Sequence, residues 1–163
     1  MNEILQKISE LKPYSKKHIY SHESELRQEI VRIAKKWLGA KYHINGMIPY
    51  KYCDCHTILI MTYAEARIIK LFQPEFYRPD FSFHTLKETY LEGMKKFAKE
   101  TTKKKPGDVI LYRYARLIDH AAIVVDEEGT MIDSCITRGV TLQDYNQEIN
   151  KSREVCTFSF WEK

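Results

Sequence analysis

Four consecutive residues, Cys53-Asp54-Cys55-His56, bring two thiols, a carboxylate and an imidazole together. Asp54 is a good helix N-cap, which puts Cys55 in the first turn of the helix that follows. Unpaired backbone N–H groups and the positive end of the helix dipole favour a thiolate there. A cysteine so placed is a candidate nucleophile. Both thiols also fit the role of small buried hydrophobes. A metal site is the weaker reading, because Cys-x-Cys-His lacks the spacing of zinc-binding cysteine pairs and no second pair clusters nearby. No metal ligand is assigned.

A nucleophilic thiol needs a base, and the chain offers six histidines. His120 is the best placed, because it opens the apolar run Ala121-Ala122-Ile123-Val124-Val125. Its backbone would be anchored in a sheet with its ring at the rim, able to take a thiol proton and return it to a leaving amine. An orienter for the ring follows from the turn Asp126-Glu127-Glu128-Gly129-Thr130. With a loop of two or four residues the paired positions sum to 255. His120 then faces Cys135, and Asp133 is its diagonal neighbour on the same sheet face, roughly 7–8 Å away at the backbone. A three-residue loop would reverse that parity. Asp133 also interrupts an apolar strand, an expensive place for a charge without a partner. Cys135 is an alternative nucleophile, though a mid-strand thiol lacks the helix-end field. His18, His22, His43 and His56 fall in loops or at a helix start and read as solvated, with His56 a contributor to the rim of the site; His84 reads as a helix cap.

The elements that would position these groups follow from periodicity. Ile4, Leu5, Ile8 and Leu11 form an amphipathic stripe over residues 2–11, ended by Pro13, and residues 15–18 read as a loop. A second helix, capped by Ser21 or Ser24, runs to about Leu38 with Gly39 as its stop signal. Residues 40–53 carry turn chemistry. A third helix spans about 55–71, an irregular link with Pro74 and Pro79 follows, and a fourth helix covers about 84–100. Short strands are expected at 109–114, 121–126, 130–134, 139–142 and 157–161. Helices precede strands, which indicates an α+β domain with N-terminal helices packed on a central antiparallel sheet. It reads as a single domain over 1–163, with a helix and loop at 1–20 and an insert at 73–105.

Composition limits the remaining classes. At 163 residues, 44% hydrophobic and 29% charged, the chain is globular rather than disordered. The net charge is +4, and residues 95–105, with six lysines and one glutamate, contribute +5 of it. With only Phe97 interleaved, that patch reads as a solvated face and not as a nucleic-acid site. The N-terminus lacks the apolar run of an export signal, and no segment approaches the roughly 20 apolar residues of a membrane span. The expectation is a soluble, cytoplasmic protein with no membrane insertion, whose four cysteines are reduced thiols.

Four ordered blocks carry a resemblance: Trp37-Leu38-Gly39-Ala40-Lys41-Tyr42, Asp54-Cys55 before an apolar helix, Pro106-Gly107-Asp108-Val109-Ile110-Leu111-Tyr112, and Asp119-His120-Ala121-Ala122-Ile123-Val124. Together, over residues 26–145, they resemble the NlpC/P60 cysteine peptidases, papain-like cell-wall hydrolases. The insert, Tyr77-Arg78-Pro79-Asp80-Phe81-Ser82-Phe83-His84 and Glu88-Thr89-Tyr90-Leu91-Glu92-Gly93, is similar to the branch encoded among phage tail genes. The resemblance implies a thiol endopeptidase that cuts peptidoglycan stem peptides, commonly at a γ-D-glutamyl to diamino-acid bond. It implies no metal or organic cofactor. Carried over by position, Cys55 is the nucleophile, His120 the base and Asp133 the orienting residue, while Tyr42, His56 and Asp54 serve the substrate side. It further implies phage tail proteins as partners and a virion-associated location. Two departures stand out: Tyr52, Cys53, His56 and Thr57 are bulkier than the family's usual neighbours of the nucleophile, and Asp133 stands where exported members more often have His. A structural or adaptor tail protein without useful catalysis is the competing expectation, and an amidase or acyltransferase would use the same residues.

Overall fold

The computed structural model describes residues 2–80 and 84–162. Phe81, Ser82 and Phe83 of the expected insert lie outside the described residues.

The chain opens with α1 (Glu3–Glu10), whose first turn is capped by the Asn2 side chain accepting from the Ile4 and Leu5 amides. Where a loop was expected, Ser15 caps a short helix, α2 (Lys16–Ser21), by accepting from the His18 amide. It leads almost directly into α3 (Glu23–Lys36). Neither Ser21 nor Ser24 caps α3: its N-cap is His22, without a side-chain bond, and the Ser21 hydroxyl turns back to the His18 carbonyl. Leu26, Ile30, Ile33 and Ala34 form the buried stripe of α3, as their spacing requires.

Short strands β1 (Lys41–Tyr42), β2 (Met47–Ile48) and β3 (Tyr52–Cys53) then form a small sheet in the order β1-β3-β2. The next helix, α4 (Thr57–Glu65), is buried along nearly its whole length. It is shorter than the expected 55–71 because Arg67 adopts a left-handed conformation, φ 60°. The Arg67 amide then bonds the Ala64 carbonyl and the Ile68 amide the Tyr63 carbonyl, a Schellman closure that ends the helix.

The expected helix at 84–100 is corrected to α5 (Thr89–Lys95) followed by a strand, β4 (Lys99–Thr101). Edge pairing of β4 with the C-terminal strand overrides the local helical pattern. Strands β5 (Val109–Arg113), β6 (Ile118–Val124), β7 (Thr130–Cys135) and β8 (Gly139–Asp144), helix α6 (Glu148–Arg153) and strand β9 (Glu154–Ser159) complete the chain. Among the described residues the main sheet has six strands in the order β4-β9-β5-β6-β7-β8, each pair antiparallel.

Alternation along the strands divides the apolar residues between two faces. Val109, Leu111, Ala121, Ile123 and Phe158 join the main core with Ile30, Ile33, Trp37, Ile58 and Met61 from the helices. Ile110, Tyr112, Ala122, Val124, Met131 and Tyr145 form a second cluster. This is the α+β layering expected from the order of elements. A buried ion pair fastens the layers: Arg27 of α3 donates to Asp108 Oδ1 (2.8 Å), the Pro106 carbonyl (2.7 Å) and Ser159 Oγ (3.1 Å). Its guanidinium also lies 4.2 Å from the Trp161 ring centroid. No helix among the described residues is long and apolar enough to cross a membrane.

Candidate active site

Cys55 lies in the turn that leads into α4, and Asp54 builds that turn. Its Oδ1 accepts from the His56 amide (2.9 Å), the Thr57 amide (2.8 Å) and the Thr57 hydroxyl (3.2 Å). The Thr57 hydroxyl in turn accepts from the Asp54 amide (3.0 Å). This reciprocal bonding makes Asp54 the working cap although regular helix begins only at Thr57. Oδ2 accepts from the Asn45 amide (2.6 Å) and the Tyr77 hydroxyl (2.5 Å). Asp54, expected on the substrate side, is thus 1% exposed, with both oxygens occupied by protein donors.

β6 and β7 carry the other two expected residues. Their pairing, Ala122 with Asp133, Ile123 with Ile132 and Val124 with Met131, has positions summing to 255, the register read from the turn. His120 and Asp133 accordingly share a face, and His120 Nε2 meets Asp133 Oδ2 at 2.9 Å. Both are buried, Asp133 at 1% exposure. With Nε2 engaged, Nδ1 is the ring nitrogen left for a thiol.

Cys55 and His120 line one cavity of about 250 Å³ together with Tyr42, Tyr114, Cys135 and Ile136. No hydrogen bond joins the thiol to the ring, however. Cys55 Sγ points to the carbonyl oxygen of Asp119, the residue before His120, at 3.6 Å. Burial, chiefly, and the nearby Asp54 charge push the Cys55 thiol well above its ordinary range. The expected thiolate-favouring helix end is offset by burial first, and then by the carboxylate that caps the first N–H groups.

The expected substrate-side residues divide. Tyr42 is brought to the cavity by pairing of β1 with β3, Tyr42 opposite Cys53, and its phenol is raised by burial and by the neighbouring Cys55. His56 is half-buried rather than fully solvated, at the edge of a cavity. Its ring lies 5.0 Å from that of Tyr90 and 5.7 Å from that of Tyr77, and burial lowers its pKa. It faces a second, larger cavity of about 530 Å³, which also contains Cys55 and is walled by Pro74, Phe76, Tyr77 and Tyr90.

That second wall is the part sequence reasoning missed. The Asn45 side chain donates to the Tyr77 carbonyl (2.8 Å) and accepts from its amide (3.3 Å), so the insert is clamped beside the Asp54-Cys55 turn. Tyr90 of α5 donates to the Cys55 carbonyl at 2.9 Å. Nothing local in the sequence marks Tyr77 or Tyr90 as neighbours of residue 55. Arg138 was missed as well: its Nη2 donates to Asp133 Oδ2 at 2.9 Å. A cation five residues after an interior aspartate, next to the turn glycine Gly139, was the available signal. Cys53 is fully buried and exchanges bonds with Ser134, while Cys135 borders the smaller cavity. Among the described residues no group of three or more His, Cys, Asp or Glu is arranged to hold a metal ion.

The NlpC/P60 family pattern matches residues 39–158. Among solved structures, the chain is similar to an NlpC/P60 family protein from Bacillus cereus ATCC 10987, with 16% identity and a TM-score of 0.58 over 83% of this chain and 40% of that one. A protein described as similar to lipoprotein, NLP/P60 family, from Staphylococcus aureus gives 15% identity and a TM-score of 0.61 over 95% of this chain and 45% of that one. The NlpC/p60 domain of the peptidoglycan hydrolase SagA gives 18% identity and a TM-score of 0.54 over 82% of this chain and 97% of that one. The chain therefore spans less than half of the first two proteins, and identities at this level carry the fold alone. No curated protein matches it. The pattern covers most of the chain, including the turn at Cys55 and the His120–Asp133 pair, and on that ground the chain belongs to the NlpC/P60 family.

Proposed function

We propose that this protein is a thiol hydrolase of peptidoglycan stem peptides, acting by acyl transfer through a thioester on Cys55. The observation that carries the reading is the buried His120–Asp133 pair, 2.9 Å apart, at the cavity that holds the Cys55 thiol. Burial keeps that thiol protonated in the resting protein, so attack begins with transfer of its proton to His120 Nδ1 as the sulfur bonds to the peptide carbonyl carbon. Asp133 holds the ring and stabilises the imidazolium. The Cys55 amide helps hold the oxyanion. Collapse of the tetrahedral species breaks the C–N bond, the imidazolium proton goes to the leaving amine, and water then cleaves the thioester with His120 as base. The thiol must leave the Asp119 carbonyl and turn to the ring when substrate enters.

Peptidoglycan is the substrate class of the SagA domain that shares this fold. The γ-D-glutamyl to diamino-acid bond is the target suggested by the blocks around Cys55 and His120, and phage tail association is suggested by the insert. Incubation with purified muropeptides followed by mass spectrometry tests the reading. Wild type and Cys53→Ala should release cleaved peptides, and Cys55→Ala should release essentially none. Turnover that survives in Cys55→Ala would exclude the thioester route.

One observation favours a second reading, a structural tail protein with impaired catalysis: the thiol is bonded to a backbone carbonyl and held protonated. That reading expects a folded wild type that cleaves no muropeptide at any pH.

A further inference from the structure

Asp133 has more to hold than His120. The same oxygen, Oδ2, accepts from His120 Nε2 and from Arg138 Nη2, each at 2.9 Å. Its other oxygen, Oδ1, is buried without a hydrogen-bond partner. Arg138 is anchored by a second bond, from Nε to Thr141 Oγ1 at 3.2 Å, so its guanidinium ties the end of β7 to β8. The turn that carries it is fixed in turn. Gly139 has φ 69°, and a Cβ there would lie 2.4 Å from the Ala40 carbonyl oxygen, which itself accepts from the Val140 amide at 2.9 Å. Arg138 thus reaches the site from a turn locked against the approach to Tyr42.

We infer that Arg138 is a positioning residue that, by sharing Oδ2, limits how strongly the Asp133 carboxylate holds the His120 imidazolium. The inference rests on the catalytic reading of His120, and its physical basis is simple. An almost fully buried carboxylate beside a neutral imidazole is costly, and a guanidinium on the same oxygen offsets that cost. The two donors then share one acceptor, so less of its negative charge serves the ring. A less firmly held imidazolium gives its proton to a leaving amine more readily.

Other groups facing the ring do not supply this effect. Tyr114 and Tyr112 of the β5 side place their rings 5.0 and 6.0 Å from it. The Arg153 guanidinium is directed onto the Tyr114 ring, 4.4 Å from its centroid. The Asp119 carboxylate accepts from the Tyr114 amide, and Asp54, at the α4 end, is saturated by its own donors. Cys55, Cys135 and Tyr42 complete the surroundings as groups that carry no charge when protonated.

The test compares wild type, Arg138→Lys and Arg138→Met by NMR titration of the His120 ring signals, alongside the pH profile of kcat/KM. In Arg138→Met the midpoint of the ring signals should move to higher pH by at least about half a unit, because an opposing cation is lost and the acceptor is no longer shared. The acidic limb of kcat/KM, where protonation of the base ends activity, should move the same way, with kcat lowered and KM little changed. Arg138→Lys, which keeps the charge, should fall between the two. A midpoint that is unchanged or lowered in Arg138→Met overturns the inference, and Arg138→Lys decides the matter alone if Arg138→Met does not fold. The titration needs no turnover. An inactive wild type would therefore count against the hydrolase reading and leave the role of Arg138 to the ring signals.

Discussion

At the scale of single residues, Asp54 shapes the chemistry of its neighbour more than the helix does. Burial is the larger cause of the raised Cys55 thiol, and the cap that neutralises the first amides of α4 with a carboxylate adds an anion beside it. Alkylation by iodoacetamide should consequently be slower at Cys55 than at a free thiol below pH 8 and rise steeply above it. Asp54→Asn keeps the capping oxygen and removes the charge, so it should speed alkylation several-fold at pH 8. Equal rates for the two proteins would show that the Asp54 charge does not govern the thiol. For Asp133→Asn, the ring loses its anionic partner and Arg138 loses its ion pair. Muropeptide turnover should then fall by roughly 10²–10⁴-fold, the span of general acid–base catalysis, in steady-state assays.

At the scale of elements, two contacts hold the layers in place, and both are open to measurement. Arg27 joins α3 to the Pro106-Gly107-Asp108 turn and to β9 through a pair whose side chains are 10% and 1% exposed. Removing one partner strands the other. Arg27→Met should cost about 3 kcal/mol in urea unfolding. Arg32, paired with Glu29 on the same helix but 59% exposed, gives the contrast: Arg32→Met should change stability by less than about 1 kcal/mol. Gly139→Ala combines a left-handed backbone with a clash on the Ala40 carbonyl. It should lower stability by at least about 1 kcal/mol and pull the Arg138 turn away from the β1 approach.

At the scale of the whole molecule, buried acids that stay protonated make the fold sensitive to alkali. Burial pushes the Cys53 thiol up to about 12 and the Cys156 thiol up to about 11, and raises the buried Tyr63 and Tyr90 phenols well above their ordinary range. A group whose pKa is higher in the folded than in the unfolded state binds more protons when folded. Its stabilisation is complete below the unfolded pKa and is lost as pH rises through the folded one. The melting temperature should hold between pH 7 and 8 and decline above about pH 9. A flat profile to pH 10.5 in scanning calorimetry would contradict the burial of these groups.

Legibility in the sequence follows the range of the interactions involved. The stripe of α3, the cap at Asp54 and the 255 register that sets Asp133 beside His120 depend on residues a few positions apart, and periodicity, cap chemistry and turn parity express them directly. The early end of α4 was less visible, because a left-handed arginine takes the place usually signalled by glycine. What brings Tyr77, Tyr90 and Asn45 to the turn at Cys55 joins segments up to 35 residues apart, and β4 becomes a strand by pairing with β9 near the other end of the chain. The direction of the thiol and the second donor on Asp133 belong to the same class. By itself the sequence determined the packing of N-terminal helices on an antiparallel sheet and the pairing of His120 with Asp133. Which side chains surround Cys55, and how its proton is held, was decided by tertiary packing, because desolvation and long-range hydrogen bonds exist only once distant segments meet.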